Sequence, residues 1–357
     1  MGFKITKNKK TRYDSIDWNN LRFGVYFSDH IFISRYKDGK WDGGEIMPYG
    51  EMPMEPGLCT LHYGQTIFEG LKAFRRVDGK GANLFRGDMN AKRLNRSASL
   101  VCIPNYDVPT LIDGMKELIK IDNKFIPNQK GQSLYLRPVV FGSGNFLGVT
   151  ASSEYMLIVM TSPVASYYAA GLNPVKIMVS DDHVRAVKGG VGAAKTAANY
   201  AASLYAGMDA HKKGFSQVLW LDGVNRKDID EVGAMNIMFV IDGELITPSL
   251  EKGTVLAGVT RDTVLTLARE WGMKVTERNI SIDEVTEAHK NGKLQEAFGT
   301  GTAAVISPVG QLTYKGNDMI INDMKIGPVS QKFYDTITGI QYGEIDDKHN
   351  WNIHVTF

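Results

Sequence analysis

Apolar residues recur along this chain with two periods, about 3.6 residues and about two, which are typical of helices and strands respectively. The longer period predicts amphipathic helices at residues 89–100, 109–121, 197–213 and 260–271. Apolar or alternating runs predict strands at residues 71–75, 84–86, 134–141, 155–160, 175–179, 217–221, 235–241, 244–247 and 273–278. Helices and strands are mixed in both halves of the chain, which predicts an α/β or α+β fold.

Turn and capping residues delimit several of these elements. Asp242-Gly243 predicts a tight hairpin turn between two strands. Ser281, followed three residues later by Glu284, predicts a capping box that opens a short helix. Asp88 is expected to cap the first long helix.

The N-terminal region has a different pattern, rich in aromatic residues and then in glycine and proline. Aromatic and β-branched residues predict strands at 23–27 and 31–34, separated by a turn. The following Gly- and Pro-containing stretch, 41–54, predicts a loop.

Prolines, a glycine and small residues predict a linker at residues 163–174. We therefore expect a smaller N-terminal α/β domain at 1–162 and a larger C-terminal domain at 175–357. A chain of 357 residues is long enough for two such domains.

Charge and cysteine content exclude several classes of partner. Lys and Arg total 41 against 39 Asp and Glu, a net charge of +2, which favours neither nucleic acid nor an anionic membrane. The two cysteines are too few for a disulfide framework and are not in a metal-binding spacing, so we expect no metal. Without a signal peptide or an apolar run long enough to span a membrane, the sequence predicts a cytoplasmic protein.

One lysine stands in a run of small residues. Lys195 follows Gly189-Gly190-Val191-Gly192 and two alanines, and Thr196 and two more alanines come after it, so its side chain has no bulky neighbours in sequence. In one interpretation it is an ordinary solvated lysine beside a flexible loop. In the other it faces a cavity, where desolvation lowers its pKa and makes it a Schiff-base nucleophile.

Two stretches have the features of a phosphate site. Gly258-Val259-Thr260 lies where a predicted helix begins, and helix N-termini favour anions. Gly299-Thr300-Gly301-Thr302-Ala303 offers backbone N–H groups and hydroxyls. Arg93 and Arg185 are candidate cations for the same anion. Each Gly-Thr stretch is also compatible with an ordinary turn.

Two charged residues adjoin or lie in apolar strands. Glu231 precedes the predicted strand at 235–241, where it either ends a surface loop or holds a protonated heterocycle. Arg137 lies within the strand at 134–141 and forms either a salt bridge or part of a substrate site. A lysine in a small-residue pocket, a phosphate cradle and a buried carboxylate together suggest pyridoxal phosphate.

Specific motifs extend this interpretation over nearly the whole chain. They are Leu61-His62-Tyr63-Gly64, Phe68-Glu69-Gly70, Leu134-Tyr135-Leu136-Arg137-Pro138, Arg185-Ala186, Gly189-Gly190-Val191-Gly192 with Lys195, Asn199-Tyr200, Glu231-Val232-Gly233, Leu256, Gly258-Val259 and Gly301-Thr302-Ala303. Together they resemble the motifs of branched-chain-amino-acid aminotransferases, which belong to the two-domain fold-type-IV class of pyridoxal phosphate enzymes.

The resemblance implies a role for each matching residue. Lys195 is the implied Schiff-base and proton-transferring lysine, Glu231 the partner of the pyridine nitrogen, and Tyr200 the partner of the cofactor's phenolic oxygen. The other implied cofactor-binding positions are Arg93, Arg185, Leu256, Gly258, Val259, Thr260 and Thr302. An aromatic wall for a branched side chain is implied at Phe23, Tyr63, Phe68, Tyr135 and Tyr167.

Further residues match positions that recognise carboxylates. Thr302 and Ala303 are implied to offer backbone N–H groups to the substrate carboxylate, and Arg137 to recognise the acidic co-substrate. The implied reaction moves the amino group of L-leucine, L-isoleucine or L-valine to 2-oxoglutarate, giving 2-oxo acids and L-glutamate. A homodimer is also implied.

The chain departs from the family pattern at a few positions, and alternatives stay open. Ala257 and Ala234 replace a usual proline and threonine near the cofactor, with an effect on affinity that the sequence leaves undefined. The first alternative is another fold-type-IV enzyme, a D-amino acid aminotransferase or an aminodeoxychorismate lyase. The second is a non-enzymatic protein that binds a phosphorylated ligand.

Overall fold

The computed structural model describes residues 2–165 and 172–357, which form two compact units. Unit 1 contains the described residues up to 165, together with Ala194–Ala197 and Gly339–Phe357. Unit 2 contains residues 172–193 and Ala198–Thr338. Lys195 therefore belongs by its contacts to unit 1, although the residues before Ala194 and after Ala197 belong to unit 2.

The described strands and helices follow one another as predicted for a mixed α and β protein. The strands before the linker are β1 (Lys4–Ile5), β2 (His30–Lys37), β3 (Lys40–Trp41), β4 (Glu45–Pro48), β5 (Thr66–Phe68), β6 (Leu71–Arg75), β7 (Ala82–Phe85), β8 (Ser133–Gly142) and β9 (Tyr155–Val164). Those after it are β10 (Val175–Ser180), β11 (Gln217–Leu221), β12 (Ile229–Val232), β13 (Asn236–Ile241), β14 (Glu244–Thr247), β15 (Lys274–Glu277), β16 (Leu294–Gly301), β17 (Val305–Tyr314), β18 (Asn317–Ile320) and β19 (Asn352–Val355). The helices are α1 (Cys59–Tyr63), α2 (Gly87–Leu100), α3 (Val108–Ile121), α4 (Ala197–Lys212), α5 (Val259–Glu270), α6 (Ile282–Lys290) and α7 (Pro328–Tyr342).

Unit 1 is built on a ten-stranded sheet in the order β1-β4-β2-β9-β8-β6-β7-β19, with β3 paired to β2 and β5 paired to β8. Its pairings are antiparallel except the parallel β1–β4 pair. Helices α2 and α3 bury the apolar faces that their periodicity predicts, and these faces pack in one core with residues of the sheet. The α2 and α3 members of this core include Ala91, Leu94, Ala98, Leu111, Met115 and Leu118.

Unit 2 is built on a nine-stranded mixed sheet in the order β12-β11-β10-β17-β16-β13-β14-β15, with β18 paired to β17. The β10–β11, β10–β17 and β14–β15 pairs are parallel. Helix α6 contributes Ile282 and Val285 to a core that also holds Ile237 and Phe239 of β13. The predicted hairpin turn is confirmed, because β13 and β14 pair antiparallel around Asp242 and Gly243.

Local signals account for some helix boundaries and mislead at others. The predicted capping box is confirmed on its serine side, since the Ser281 hydroxyl accepts from the Glu284 N–H at 3.1 Å. Asp88 does not cap α2. Arg86 occupies the cap position with a left-handed backbone, and Asp88 lies in the first turn instead.

Two predictions for the N-terminal region are wrong. Residues 23–27 do not form a strand: 23–25 form a turn, with Gly24 in the left-handed region at φ 69°, and 26–27 are irregular. The stretch at 41–54 is not all loop, because β4 pairs antiparallel with β2 and buries Ile46 completely. This segment forms a strand because it pairs with β2, and the local Gly and Pro content does not predict that pairing.

No helix in the described ranges is long and apolar enough to cross a membrane.

A buried carboxylate holds the start of the last helix of unit 2. Glu296 in β16 is 5% exposed. Its carboxylate accepts hydrogen bonds from the Val329 N–H at 2.8 Å, the Ser330 N–H at 2.9 Å and the Ser330 hydroxyl at 2.6 Å. These bonds satisfy N–H groups in the first turn of α7 that have no partner within the helix.

We expect Glu296→Ala to lower the free energy of unfolding by about 2–3 kcal/mol, because it leaves buried donors without an acceptor. Urea denaturation followed by circular dichroism measures the change. The control is Glu287→Ala on the exposed face of α6, which we expect to change stability by less than about 0.5 kcal/mol. Equal effects of the two substitutions would contradict the capping role of Glu296.

Candidate active site

The backbone around Lys195 is bound to unit 1 on two sides. The Phe68 N–H donates to the Lys195 carbonyl at 3.0 Å, and Ile67 and Thr196 form an antiparallel bridge. On the other side, the Lys195 N–H donates to the Ser97 hydroxyl of α2 at 2.9 Å. The segment is thus held between the end of β5 and one face of α2, and small residues such as Ala194, which is 2% exposed, allow this close approach.

The Lys195 amine lies in a desolvated and charged environment. Its Nζ is 4.7 Å from the centroid of the Phe68 ring. Burial is the main cause that lowers the pKa of Lys195 to about 8; the Arg93 charge lowers it further, and the Glu69 charge raises it. An amine with that pKa is roughly one-tenth neutral at pH 7, whereas an ordinary lysine amine is neutral in about one molecule in 2,500. The geometry therefore favours a nucleophilic lysine.

A buried ion pair lies next to this lysine. The Arg93 guanidinium donates to both carboxylate oxygens of Glu69, Nε to Oε1 at 2.7 Å and Nη2 to Oε2 at 2.8 Å. Asn90, three residues before Arg93 on α2, donates to Glu69 Oε2 at 2.8 Å. Glu69 is 1% exposed and Arg93 is 5% exposed. Burial acts to raise the pKa of Glu69, but the charge and hydrogen bonds of Arg93 hold it below its usual value.

An aromatic group surrounds Arg137 on β8. The Arg137 guanidinium lies 4.6 Å from the centroid of the Phe68 ring and donates to the Tyr135 hydroxyl at 2.9 Å. Phe23 packs edge-on against Tyr135, with ring centroids 4.8 Å apart. Among the described residues no carboxylate forms an ion pair with Arg137, and its buried Nε has no hydrogen-bond acceptor. The alternative that Arg137 forms a structural salt bridge therefore has no support in this part of the chain.

A second lysine of unit 1 is also buried. Lys72 of β6 is 6% exposed, and its position in the sheet is directly opposite Tyr135. Burial lowers the pKa of Lys72 to about 8. Sequence reasoning missed both Lys72 and the role of Glu69, although a charge inside the otherwise apolar segment 71–74 was a visible signal.

In unit 2, a second buried carboxylate meets an arginine. Glu231 in β12 is 4% exposed, and its Oε2 is 3.2 Å from Nε of Arg185. Glu231 Oε1 accepts from the Leu256 N–H at 2.8 Å, and the Asn236 amide donates to the Leu256 carbonyl at 2.9 Å. Arg185 also donates to the Thr254 carbonyl. The alternative that Glu231 ends a surface loop is wrong, because the residue lies in a buried strand.

The N-terminus of α5 adjoins this carboxylate network. Gly258 is the capping residue, and an added Cβ there would collide with the Asn236 side chain, so only glycine fits without a shift. Val259 and Thr260 begin the helix and are buried. N–H groups in a first helical turn lack partners within the helix and attract anions.

The Gly-Thr stretch lies at the end of β16. Gly301 ends the strand, and Thr302 and Ala303 follow in a partly buried turn. Thr300 is 2% exposed, and within the described part of the chain its hydroxyl has no hydrogen-bond partner. Buried hydroxyls are usually hydrogen-bonded, so this one is available to a bound molecule.

The positions of the remaining predicted residues do not test the roles expected of them. Tyr63 ends the short helix α1 and is 45% exposed, so within one chain it does not line an enclosed wall. Tyr200 lies in the first turns of α4 and is partly buried. Tyr167 lies outside the described residues.

Comparison with known proteins identifies what this chain is similar to. Residues 66–312 match the family described as Amino-transferase class IV. Branched-chain-amino-acid aminotransferase 2 of Bacillus subtilis (strain 168) is 50% identical over 353 residues, which cover 99% of this chain and 96% of the relative.

Solved structures give the same result for the fold. The branched-chain amino acid aminotransferase from Escherichia coli aligns with a TM-score of 0.74 at 27% identity, over 92% of this chain and 99% of that one. The branched-chain aminotransferase from the thermophilic archaeon Thermoproteus uzoniensis, solved with norvaline, aligns with a TM-score of 0.75 at 25% identity, over 91% and 99%. The predicted fold-type-IV class is confirmed.

One further solved relative carries a derivative of the expected cofactor. It is a branched-chain amino acid aminotransferase from T.th., complexed with N-(5'-phosphopyridoxyl)-L-glutamate. It aligns with a TM-score of 0.73 at 25% identity, over 91% of this chain and 98% of that one. A protein of this fold therefore holds a phosphopyridoxyl group joined to an amino acid.

The desolvated amine of Lys195 predicts an unusual titration. In the full-length chain freed of bound small molecules, we expect an amine-reactive reagent to label Lys195 with a midpoint near pH 8, because only the neutral amine reacts and the pKa is about 8. Mass spectrometry of the Lys195 peptide over a pH series measures this midpoint. A midpoint near 10.4, the value of an ordinary solvated lysine, would contradict the desolvated environment.

Proposed function

Because this chain belongs to the class IV aminotransferase family, we propose that it transfers the amino group of L-leucine, L-isoleucine or L-valine to 2-oxoglutarate. The resemblance to branched-chain-amino-acid aminotransferases is confirmed by relatives of that name that match nearly the whole chain. The observation that carries the chemistry is the Lys195 amine, desolvated and with a pKa of about 8.

The residues present fit pyridoxal 5'-phosphate as the cofactor. When bound, this group supplies an aldehyde for the amine and a ring that accepts negative charge from the substrate. Lys195 would hold the aldehyde, and its amine would move the proton to and from the substrate Cα. The partly neutral amine, the buried carboxylate of Glu231 and the buried hydroxyl of Thr300 support this assignment.

In unit 2, we assign Glu231 to the ring nitrogen and Tyr200 to the phenolic oxygen of the cofactor. The Leu256 N–H and Arg185 hold the Glu231 carboxylate in place, so that it can stabilise a protonated nitrogen. The phosphate would meet the first turn of α5 at Gly258, Val259 and Thr260. Further phosphate contacts are assigned to Arg93, Arg185 and Thr302.

The substrate side chain would contact the aromatic residues of unit 1. Phe23, Phe68 and Tyr135 lie together around β8, and Tyr63 and Tyr167 are assigned to the same wall by the family resemblance. Such apolar surfaces discriminate by only about 1–3 kcal/mol per methylene, so the three branched amino acids should all be accepted. Thr302 and Ala303 would bind the substrate carboxylate through backbone N–H groups.

Arg137 is the proposed site for the side-chain carboxylate of 2-oxoglutarate. It has no ion-pair partner among the described residues, and two aromatic rings flank its guanidinium. A guanidinium in such surroundings gains most from an ionised partner, which the acidic co-substrate provides. The same surroundings accept an apolar side chain in the other half of the reaction.

We propose that two copies of the chain associate. Unit 1 exposes apolar residues that a soluble monomer rarely presents together. Leu61 and Tyr63 of α1 are 63% and 45% exposed, and Leu147 and Val149 of a nearby loop are 71% and 90% exposed. The bridge between Leu58 and Asn145 joins these two stretches. Sedimentation at micromolar concentration is expected to give twice the mass of one chain.

The activity itself is tested by supplying L-leucine and 2-oxoglutarate and measuring L-glutamate. We expect Lys195→Ala to reduce the rate at least about a thousandfold, because the essential nucleophile and proton carrier is lost. Lys348→Ala, at an exposed position, is the matched control and should retain full rate. Turnover of D-alanine without turnover of L-leucine would replace the proposal with a D-amino acid aminotransferase.

Arg137→Gln is expected to raise the KM for 2-oxoglutarate about 30-fold, which corresponds to about 2 kcal/mol for a lost charged partner. The half-reaction with L-leucine should change far less, because the branched side chain carries no charge. Steady-state kinetics with each substrate varied separates the two effects, and Arg35→Gln on the surface is the control. Equal loss with both substrates would contradict the assignment of Arg137.

A further inference from the structure

One face of α2 is polar although it is buried. Asn90, Arg93 and Ser97 recur at spacings of three and four, so they share a face of the helix. They are 2%, 5% and 1% exposed. Asn90 and Arg93 both bind the Glu69 carboxylate, and Ser97 accepts from the Lys195 N–H. The face therefore joins the acidic residue and the lysine through one rigid element.

Glu69 is itself held rigidly beside the lysine segment. Its N–H donates to the Pro138 carbonyl of β8 at 2.8 Å, and the preceding residue, Phe68, contacts Lys195 through both its backbone and its ring. The Glu69 carboxylate accepts hydrogen bonds from the Arg93 guanidinium, from the Asn90 amide and from the Gly70 N–H. Several hydrogen bonds therefore fix the position of the Glu69 carboxylate.

We propose that Glu69 is a positioning residue for the reaction, which holds the Arg93 guanidinium in place and balances its charge at the Lys195 amine. The inference deepens the proposed function, and its meaning for transamination rests on it. Arg93 alone would repel a proton from the amine, and Glu69 alone would retain one. Because their charges are opposite, the bound pair leaves both the protonated and the neutral form of the amine populated near neutral pH. A nucleophile that also carries a proton needs both forms.

The stability of the fold does not by itself explain this pair. Taking two charges out of water is unfavourable, and proteins in which apolar residues replace a buried ion pair are often as stable. The location of the Glu69–Arg93 pair beside the reactive lysine offers a functional reason for it. Tyr135 and Arg137 of β8 also act on the amine, with opposite effects on its protonation.

Two charge-removing substitutions test the proposal because they act in opposite directions. In the full-length chain freed of bound small molecules, Glu69→Gln leaves Arg93 uncompensated, so the pH midpoint for labelling the Lys195 peptide should fall by about one pH unit. Arg93→Gln leaves Glu69 uncompensated, so the midpoint should rise by about one pH unit. The double variant should return to within about half a unit of the original chain.

The peptide that contains Lys72 serves as the internal control, since burial lowers the pKa of that amine. Glu277→Gln, which removes a carboxylate paired with Arg261 and Arg269 in unit 2, is the matched variant and should leave the Lys195 midpoint unchanged. Circular dichroism checks folding. The direction in which either single variant shifts the Lys195 midpoint is enough to test the proposal. The test therefore remains possible if the other variant does not fold.

Shifts in the same direction, or none, would overturn the positioning role and leave Glu69 as a purely structural residue. This outcome is separable from failure of the proposed function. If the chain transaminates but the two variants do not shift the midpoint in opposite directions, the proposed function stands and the positioning role of Glu69 is contradicted. If the chain neither binds pyridoxal 5'-phosphate nor transaminates but the variants shift the midpoint in opposite directions, the proposed function is contradicted. The charge balance at Lys195 then still stands.

Discussion

Removal of water from one amine is the constraint on which the rest of the site depends. Lys195 leaves bulk solvent because its backbone is bonded on one side to Phe68 and on the other to Ser97. A protonated amine is unfavourable in such surroundings unless charges nearby compensate it. The Glu69–Arg93 pair, placed by one face of α2, supplies charges of both signs. The fold therefore sets both the desolvation of the Lys195 amine and the charges that act on it.

Much of the architecture is predictable from local sequence because it depends on local physics. The faces of α2 and α3, the hairpin at Asp242-Gly243 and the capping serine of α6 all follow from periodicity or from one or two residues. The lysine was also recognisable, because a run of small residues and a matching family motif identify its surroundings without knowledge of its partners.

The features that escaped prediction depend on residues far apart in the chain. Strand β4 exists because β2 pairs with it, and residues 23–27 form a turn and an irregular segment despite their strand-like composition. Glu69 stood inside a recognised motif, but its partner Arg93 is 24 residues away. Lys72 is a charge inside an otherwise apolar segment, but only the pairing of β6 with β8 shows that it is buried opposite Tyr135.

The central claim is that the ε-nitrogen of Lys195 carries the cofactor. Adding pyridoxal 5'-phosphate to the full-length chain, reducing with borohydride and mapping the modified peptide tests it directly. The account predicts one phosphopyridoxyl group per chain, located on Lys195. Modification of Lys72 or of surface lysines in place of Lys195, or no stable modification at all, would contradict it.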